Sequence, residues 1–451
     1  MPDILPSLEA LRQECFDGCM RTLVRPGNFA IGIIVLLPTI VAAWLAAPAG
    51  WDAQSTLQWL GRLAGIAGFV LMLVAASVSI RIPGLDQPFG GLTELWQVHR
   101  WLGTGAFLLL LAHPLLLALS AAAVSPAAAA EVLSPPATHR AAWFGWAALV
   151  AMMVFLAPTF SFFGAPRYQL WKRLHALSAL AVLLGFAHTL LLNRALPAWA
   201  WWALGALAFA SIAYRLVWRK LHPGARYTIT AVTPLADRVV ELALERPRGQ
   251  RMRFDAGQFV YLAPLDPALT AGRRQEHPYT ICSAPADPQL RIAIKALGDA
   301  TAALQHVRPG TDVLVDGPYG RFFEPGEQDR ELWVGGGIGI TPFVGRARAI
   351  GLAGAPVDID LVYCSNDASR AYYLDELVAI AERVPGFRVW PHYFRDEGPL
   401  DAAWIAQRCE DVSARRLYAC GPAPLLRETR IIRAALAIPR RRYHSEEFSF
   451  L

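Results

Sequence analysis

A chain of 451 residues, 55% hydrophobic and 17% charged, is long enough for about three domains. Its 42 Lys and Arg against 36 Asp and Glu leave a net charge of +6. Many of those basic residues flank long apolar runs, so membrane topology accounts for the excess and a nucleic-acid partner is excluded. The six cysteines, Cys15, Cys19, Cys282, Cys364, Cys409 and Cys420, form no CxxC pair, which excludes a disulfide scaffold and predicts free thiols in a reducing compartment.

Taken in order, residues 5–24 place Leu8, Leu11, Cys15 and Cys19 at helical spacing and predict an interfacial segment over 1–27. Apolar runs follow at 28–49, 58–80, 95–120, 141–162, 168–192 and 197–218, each near the roughly 20 residues a bilayer crossing needs. The first begins at Asn28 and is too long for the apolar region of a cleaved signal peptide. A six-span transmembrane domain over 28–220 is expected. Arg12, Arg21, Arg25, Arg81, Arg100, Arg167, Lys172, Arg173, Arg215, Arg219 and Lys220 lie at one set of ends, against Arg62, Arg140 and Arg194 at the other. The positive-inside rule then puts both termini in the cytoplasm, in a multi-pass protein of the cytoplasmic membrane. Tryptophans such as Trp51, Trp59, Trp199 and Trp218 fall near span ends, as interfacial belts do.

Spans three and five each carry two histidines, His99 with His113 and His175 with His188. Ionisable groups at membrane depth are costly and mark a path or a bound group, and neutral imidazole is the commonest metal ligand. Separations of 14 and 13 residues set the members of each pair about 20 Å apart along a helix, which predicts two metal levels. The spacing of 14 returns His113 to within about 40° of His99, whereas 13 leaves His188 about 140° from His175. Span five must therefore be distorted or tilted, or the bound groups must approach from different azimuths.

Beyond residue 225 the pattern changes. RYTITAVTPL, RVVELALERP, GQFVYLAPL, HPYTICSAP, LRIAIKALG and DVLVDGPYG read as six short strands with turn signals, predicting a small antiparallel barrel over 225–327. From 328 to 451 strands alternate with helices: ELWVGGG, VDIDLVYCS, a helix over RAYYLDELVAIAERV, FRVWPHYF, a helix over DAAWIAQRC, RRLYACGP and a helix over PLLRETRIIRAAL. That alternation predicts a parallel sheet covered by helices. The turn after ELWV carries Gly335, Gly336, Gly337 and Gly339 before Thr341 and Pro342. Glycines there let backbone approach a pyrophosphate, and the next helix offers its N-terminal amides.

His277-Pro278-Tyr279-Thr280-Ile281-Cys282-Ser283, GGGIGITPF, Tyr418-Ala419-Cys420-Gly421-Pro422 and Glu446-Glu447-Phe448, in this order, resemble the ferredoxin-reductase-type flavin and nicotinamide module. With six spans and two histidine pairs in front, the chain from 28 to 451 resembles the ferric reductase and NADPH oxidase superfamily. The resemblance implies that Tyr279 packs on the flavin of FAD with the Thr280 hydroxyl near its reactive nitrogen, flanked by Pro278 and Ser283. His277 stands where soluble relatives often carry Arg. Lys295, Gly298 and Thr301 match the segment that holds the FAD pyrophosphate, where a cation and backbone amides offset its charge. Cys420, with Gly421 and Pro422, lies by resemblance near the nicotinamide. Phe448 is the aromatic that covers the flavin, and Phe450 is the alternative. Arg370 follows the second strand of the nucleotide domain, where a cation can meet a 2′-phosphate, while Asp367 beside it would repel one. NADPH and NADH both stay open.

The same resemblance implies two b-type haems, one on His99 and His175 near the inner face and one on His113 and His188 toward the outer face. Arg62 and Arg81 bracket span two and by resemblance pair with haem propionates; Arg62 also suits attraction of an anionic product, though both positions equally suit snorkelling arginines. The expected activity is transfer of electrons from cytoplasmic NAD(P)H through FAD and both haems to an outer acceptor, with dioxygen giving superoxide leading and a ferric chelate second. A quinone or a periplasmic redox protein is a further acceptor, and a histidine-lined metal transporter with a regulatory nucleotide domain is the rival from another class. No EF-hand loop is present, so constitutive activity without calcium control is expected.

Overall fold

The computed structural model describes residues 25–159, 168–192, 195–247, 250–269, 271–324 and 330–447. The expected interfacial helix over 5–24 and both candidate flavin-covering aromatics, Phe448 and Phe450, lie outside these residues. Two compact units emerge: one ends at Leu221, and the other runs from His222 and also takes in Ile82–Gln87 and Gly91–Thr93.

In the first unit, six helices are long and apolar enough to cross a membrane: Pro26–Leu45, Ala53–Ser77, Leu92–Ala122, Arg140–Thr159, Leu170–Leu192 and Ala198–Leu221. Span two starts on a capping box, in which Asp52 accepts from Ser55 N–H and Ser55 Oγ from Asp52 N–H. It is the most buried of the six, and its Gly61, Gly65 and Gly68 would each press a Cβ onto a side chain of span three. Small residues at that spacing let two membrane helices approach closely. Polar links join the helices at specific places. Trp59 Nε1 donates to Ala43 O, Ser120 Oγ to Gln54 O, and Ser211 Oγ to Ser77 O. Phe69, Leu73, Phe186 and Trp201 fill the interior, while Leu36, Ile40, Leu108, Leu115 and Leu183 face outward, as a lipid-facing surface requires. A short helix not expected from the sequence, Pro126–Leu133, lies between spans three and four and is capped by Ser125.

Span five is interrupted. An α-helix ends at His175 and another begins at Ser178, and across the join the amides of Ala176, Leu177 and Ala179 bond three residues back, to Arg173, Leu174 and Ala176. Bonds of that kind wind the chain at about 120° per residue rather than about 100°. Three of them turn His188 by about 60°, bringing it from about 140° to about 80° of His175. Of the choices left open above, span five takes distortion.

The second unit holds two sheets. Strands β1 (Ala225–Ala236), β2 (Val239–Glu245), β3 (Phe259–Pro264), β4 (His277–Thr280), β5 (Leu290–Lys295) and β6 (Asp312–Tyr319) form an antiparallel sheet in the order β4-β3-β6-β1-β2-β5. It curls until its edges meet at an Ile281–Ile292 bridge. Strands β7 (Glu331–Gly336), β8 (Ile359–Ser365), β9 (Phe387–Tyr393), β10 (Arg416–Gly421) and β11 (Tyr443–Glu447) are all parallel, in the order β11-β10-β7-β8-β9. The helix expected from Arg370 begins only at Leu374. Tyr372 N–H is instead taken by Tyr363 Oη, and Ala368–Arg370 forms a single tight turn.

A buried network ties the two sheets. Glu241 on β2 accepts from Tyr373 Oη at 2.8 Å and pairs with Arg348 at 3.1 Å and Arg291 at 3.3 Å. Arg348 also grips both oxygens of Glu376 and the carbonyl of Cys282.

Candidate functional site

Spans three and five bring the four histidines together as two pairs. The ring centroids of His99 and His175 are 6.1 Å apart with planes at 64°, and those of His113 and His188 are 6.2 Å apart at 81°. His99 Nδ1 lies 2.8 Å from Ala75 O, His113 Nδ1 2.7 Å from Gly61 O, and His188 Nδ1 2.7 Å from Ala141 O. A carbonyl only accepts, so each Nδ1 carries the proton and each Nε2 keeps its lone pair for another partner. His175 is held otherwise. Its Nδ1 is buried with no hydrogen-bond partner among the described residues, and its ring is flanked by Phe155 and Trp171.

Arg62 follows Gly61 and so stands at the level of His113, exposed. Arg81 lies just past span two near the level of His99, and its carbonyl accepts from Tyr214 Oη. Sequence reasoning used Arg215 only for topology, yet it is within electrostatic reach of both His99 and His175. It sits in the π-helical turn Tyr214–Trp218, a distortion frequent at functional sites.

On the barrel, His277 and Pro278 open β4 half-buried, and Tyr279 and Thr280 end it buried. Tyr279 Oη has no partner among the described residues, and burial pushes its pKa up, so it stays a neutral hydroxyl. Ser283 Oγ accepts from Arg291 N–H beside the seam of the barrel. Lys295 ends β5, and burial first, then Arg370 and Arg238, hold its pKa below the ordinary lysine value. Lys295 is thus within electrostatic reach of both arginines. In the segment of Gly298 and Thr301, Thr301 Oγ1 accepts from the amides of Leu297 and Gly298, capping the helix Asp299–Ala303. What Gly298 leaves open is space, since a Cβ there would meet nothing within 4 Å.

The strand order of the parallel sheet reverses between β7 and β10, the switch point where such folds bind ligands. Both glycine-bearing turns lie there. Gly337 has φ +54°, a conformation that favours glycine, and a Cβ on Gly339 would fall 2.5 Å from Cys420 O. That close approach sets Gly335–Pro342 against Cys420, Gly421 and Pro422. The helices Thr341–Ala353 and Ala423–Ala435 both start at this point. Cys420 is fully buried, and burial, with Glu446 beside it, pushes its thiol pKa well up. Arg370 is exposed. Asp367, expected to repel a phosphate, pairs with Arg395 at 3.1 Å and accepts from Ser369 Oγ; Arg395 is a residue that sequence reasoning missed.

Three family descriptions match in succession: a ferric reductase like transmembrane component over residues 64–186, an FAD-binding domain over 225–322, and an oxidoreductase NAD-binding domain over 333–430. The chain belongs to the NADPH oxidase and ferric reductase superfamily. It accordingly joins a ferric-reductase-like membrane part, with six helices long and apolar enough to span a bilayer, to FAD- and NAD-binding domains, and it spans about two thirds or less of the length of several reductase relatives it matches. The first match includes His99, His113 and His175 and stops two residues short of His188.

Relatives of this superfamily member include the stachydrine N-demethylase reductase subunit of Rhizobium meliloti, 30% identical over 48% of this chain and 64% of that one. The electron transfer subunit of dihydroorotate dehydrogenase B from Geobacillus kaustophilus is 33% identical over 45% of this chain and 76% of its own. Among solved structures, the FAD/NAD binding domain of nitric oxide dioxygenase from Vibrio cholerae covers 50% of this chain and 98% of its own, with 18% identity and a TM-score of 0.45.

Proposed function

We propose that this protein takes hydride from cytoplasmic NAD(P)H, moves electrons singly across the inner membrane by way of FAD and two b-type haems, and reduces dioxygen to superoxide on the outer side. One observation carries the reading: two histidine pairs, contributed by the same two spans, with ring centroids 6.1 and 6.2 Å apart. Two imidazoles that face each other across a metal, each with one nitrogen about 2.0 Å from it, have centroids about 6.3 Å apart, so each pair fits one iron. Among the described residues no group of three or more His, Cys, Asp or Glu is arranged to hold a metal ion. A donor set of two suits an iron whose remaining ligands come from a porphyrin and counts against the transporter reading.

Flavin and haem, when bound, supply the conversion from a two-electron hydride donor to one-electron carriers. The chain does the rest. Tyr279 offers an apolar face with an unsatisfied hydroxyl at its tip, which suits a polar aromatic ligand packed there. Lys295, Arg238 and Arg370 offset phosphate charge, and Gly337 and Gly339 keep the switch point narrow enough for backbone amides to reach a dinucleotide. The neutral thiol of Cys420 adds no charge at the place where hydride is to leave. The basic residues at one set of span ends support cytoplasmic termini.

Dioxygen is favoured by charge. Residues 123–139, which join spans three and four at the His113 and His188 level, contain Glu131 and no Lys or Arg. The outer span ends carry only Arg62, Arg140 and Arg194, few cations for holding an anionic ferric chelate, whereas dioxygen needs none. The ferric chelate is the second reading, favoured by the family description that matches the membrane half. Purified protein given NAD(P)H should show a reduced b-type spectrum. Superoxide trapping by cytochrome c, with and without superoxide dismutase in air, is then compared with ferric citrate reduction under nitrogen. Superoxide-dependent trapping is expected; fast anaerobic iron reduction without it would overturn dioxygen as acceptor.

A further inference from the structure

His113 and His188 are held by the same device on two different helices. His113 Nδ1 donates to Gly61 O on span two, and His188 Nδ1 donates to Ala141 O on span four. Four residues after each of those carbonyls stands a glycine. A Cβ on Gly65 would lie 2.6 Å from His113 Nδ1, and a Cβ on Gly145 would lie 2.6 Å from His188 Nδ1. The reason is helical geometry. Each Cβ tilts toward the helix N-terminus, so the side chain at i+4 leans over the carbonyl at i and screens it from any donor outside the helix. Glycine at i+4 removes that screen and exposes the carbonyl to a second donor.

The other pair has no such device. His99 donates to Ala75 O, which lies in the last turn of a helix ending at Ser77, where carbonyls have no intrahelical partner. His175 Nδ1 has no partner among the described residues.

We propose that Gly65 and Gly145 are positioning residues for His113 and His188: by opening Gly61 O and Ala141 O to Nδ1–H they fix the tautomer and the ring planes with which this pair meets its metal group. The proposal rests on the haem-ligand reading above. A hydrogen bond from the far nitrogen of a ligating imidazole fixes ring orientation and raises ligand basicity, so the two glycines set the electronic properties of one haem and leave the other untouched. An alanine at either position forces the ring away from its carbonyl, because 2.6 Å is closer than carbon and nitrogen atoms pack.

The test uses the full-length chain in detergent with Gly65→Ala and Gly145→Ala made singly. Gly185→Ala is the packing control, since its Cβ would meet Phe69 at 2.8 Å and Met72 at 3.3 Å as its nearest neighbours. Gly103→Ala, with nothing within 4 Å, is the neutral control. Haem count, low-spin electron paramagnetic resonance spectra and a redox titration are the readouts. Both histidine-facing variants should shift one of two haem signals, move that haem's midpoint potential, or lose that haem alone, while neither control does so. Spectra that superimpose on the parent's in both variants, or an equal change in Gly185→Ala, would overturn the proposal. A parent protein without two haems per chain would overturn the ligation reading instead.

Discussion

Lys295 loses part of its ordinary basicity to burial and to the positive charges of Arg370 and Arg238. A phosphate placed among these three cations reverses the effect, because it favours the charged amine. The sign follows directly. Free protein loses the lysine proton at a lower pH than ordinary lysine does, while the complex holds it longer, so affinity for a phosphate-bearing cofactor falls as pH rises through the free group's lowered pKa. Charge-assisted hydrogen bonds contribute about 1.5–3 kcal/mol, so Lys295→Gln should weaken FAD binding about tenfold or more at neutral pH and flatten its alkaline dependence. Flavin fluorescence titrations at neutral and alkaline pH check both. A variant that binds FAD as the parent does would remove Lys295 from the phosphate site.

Among the elements, span five shows what a helix break achieves for two side chains 13 residues apart. Overwinding across Ala176–Leu177 recovers about 60° of the misalignment that a regular helix would leave. One alanine inserted between Ala176 and Leu177 turns His188 by about 100° relative to His175. It should cost one of the two haems, counted as pyridine haemochrome, and leave flavin reduction by NAD(P)H intact. The azimuthal mismatch was legible in the spacing, with distortion one of the three ways to meet it; the place of the break was not, since RLHALSALAV contains neither glycine nor proline. The glycine turn after β7 was legible because a positive φ at Gly337 and the contact of Gly339 with β10 leave few alternatives to glycine. Thr301 illustrates the opposite. Its motif matches a phosphate-binding segment, yet its hydroxyl occupies the nearby amides, a competition between capping and binding that residue types do not reveal. Arg395 was hidden for another reason: it neutralises Asp367 from 28 residues downstream, and pairing at that range comes from strand order.

At the scale of the whole molecule, the FAD- and NAD-binding domains form one module that holds two sheets within a single unit. Such a module needs its own means of holding two sheets in register, and the Glu241, Arg348, Glu376 and Tyr373 network supplies it. Arg348 is the one cation that joins Glu241 to Glu376 within that network, while Arg291 shares only Glu241. Removing one partner of a buried ion pair costs about 3–5 kcal/mol because the remaining charge is stranded. Arg291 keeps partial compensation, so Arg348→Ala should cost about 3 kcal/mol, at the lower end. Thermal unfolding followed by flavin release should come at lower temperature, and the rate of flavin reduction by NAD(P)H should fall as the two sheets lose their fixed relation. Haem content and the dithionite-reduced spectrum, which report on the membrane unit, should match the parent's. Loss of haem together with flavin would mean that the network supports the folding of the entire chain and not of the reductase module alone.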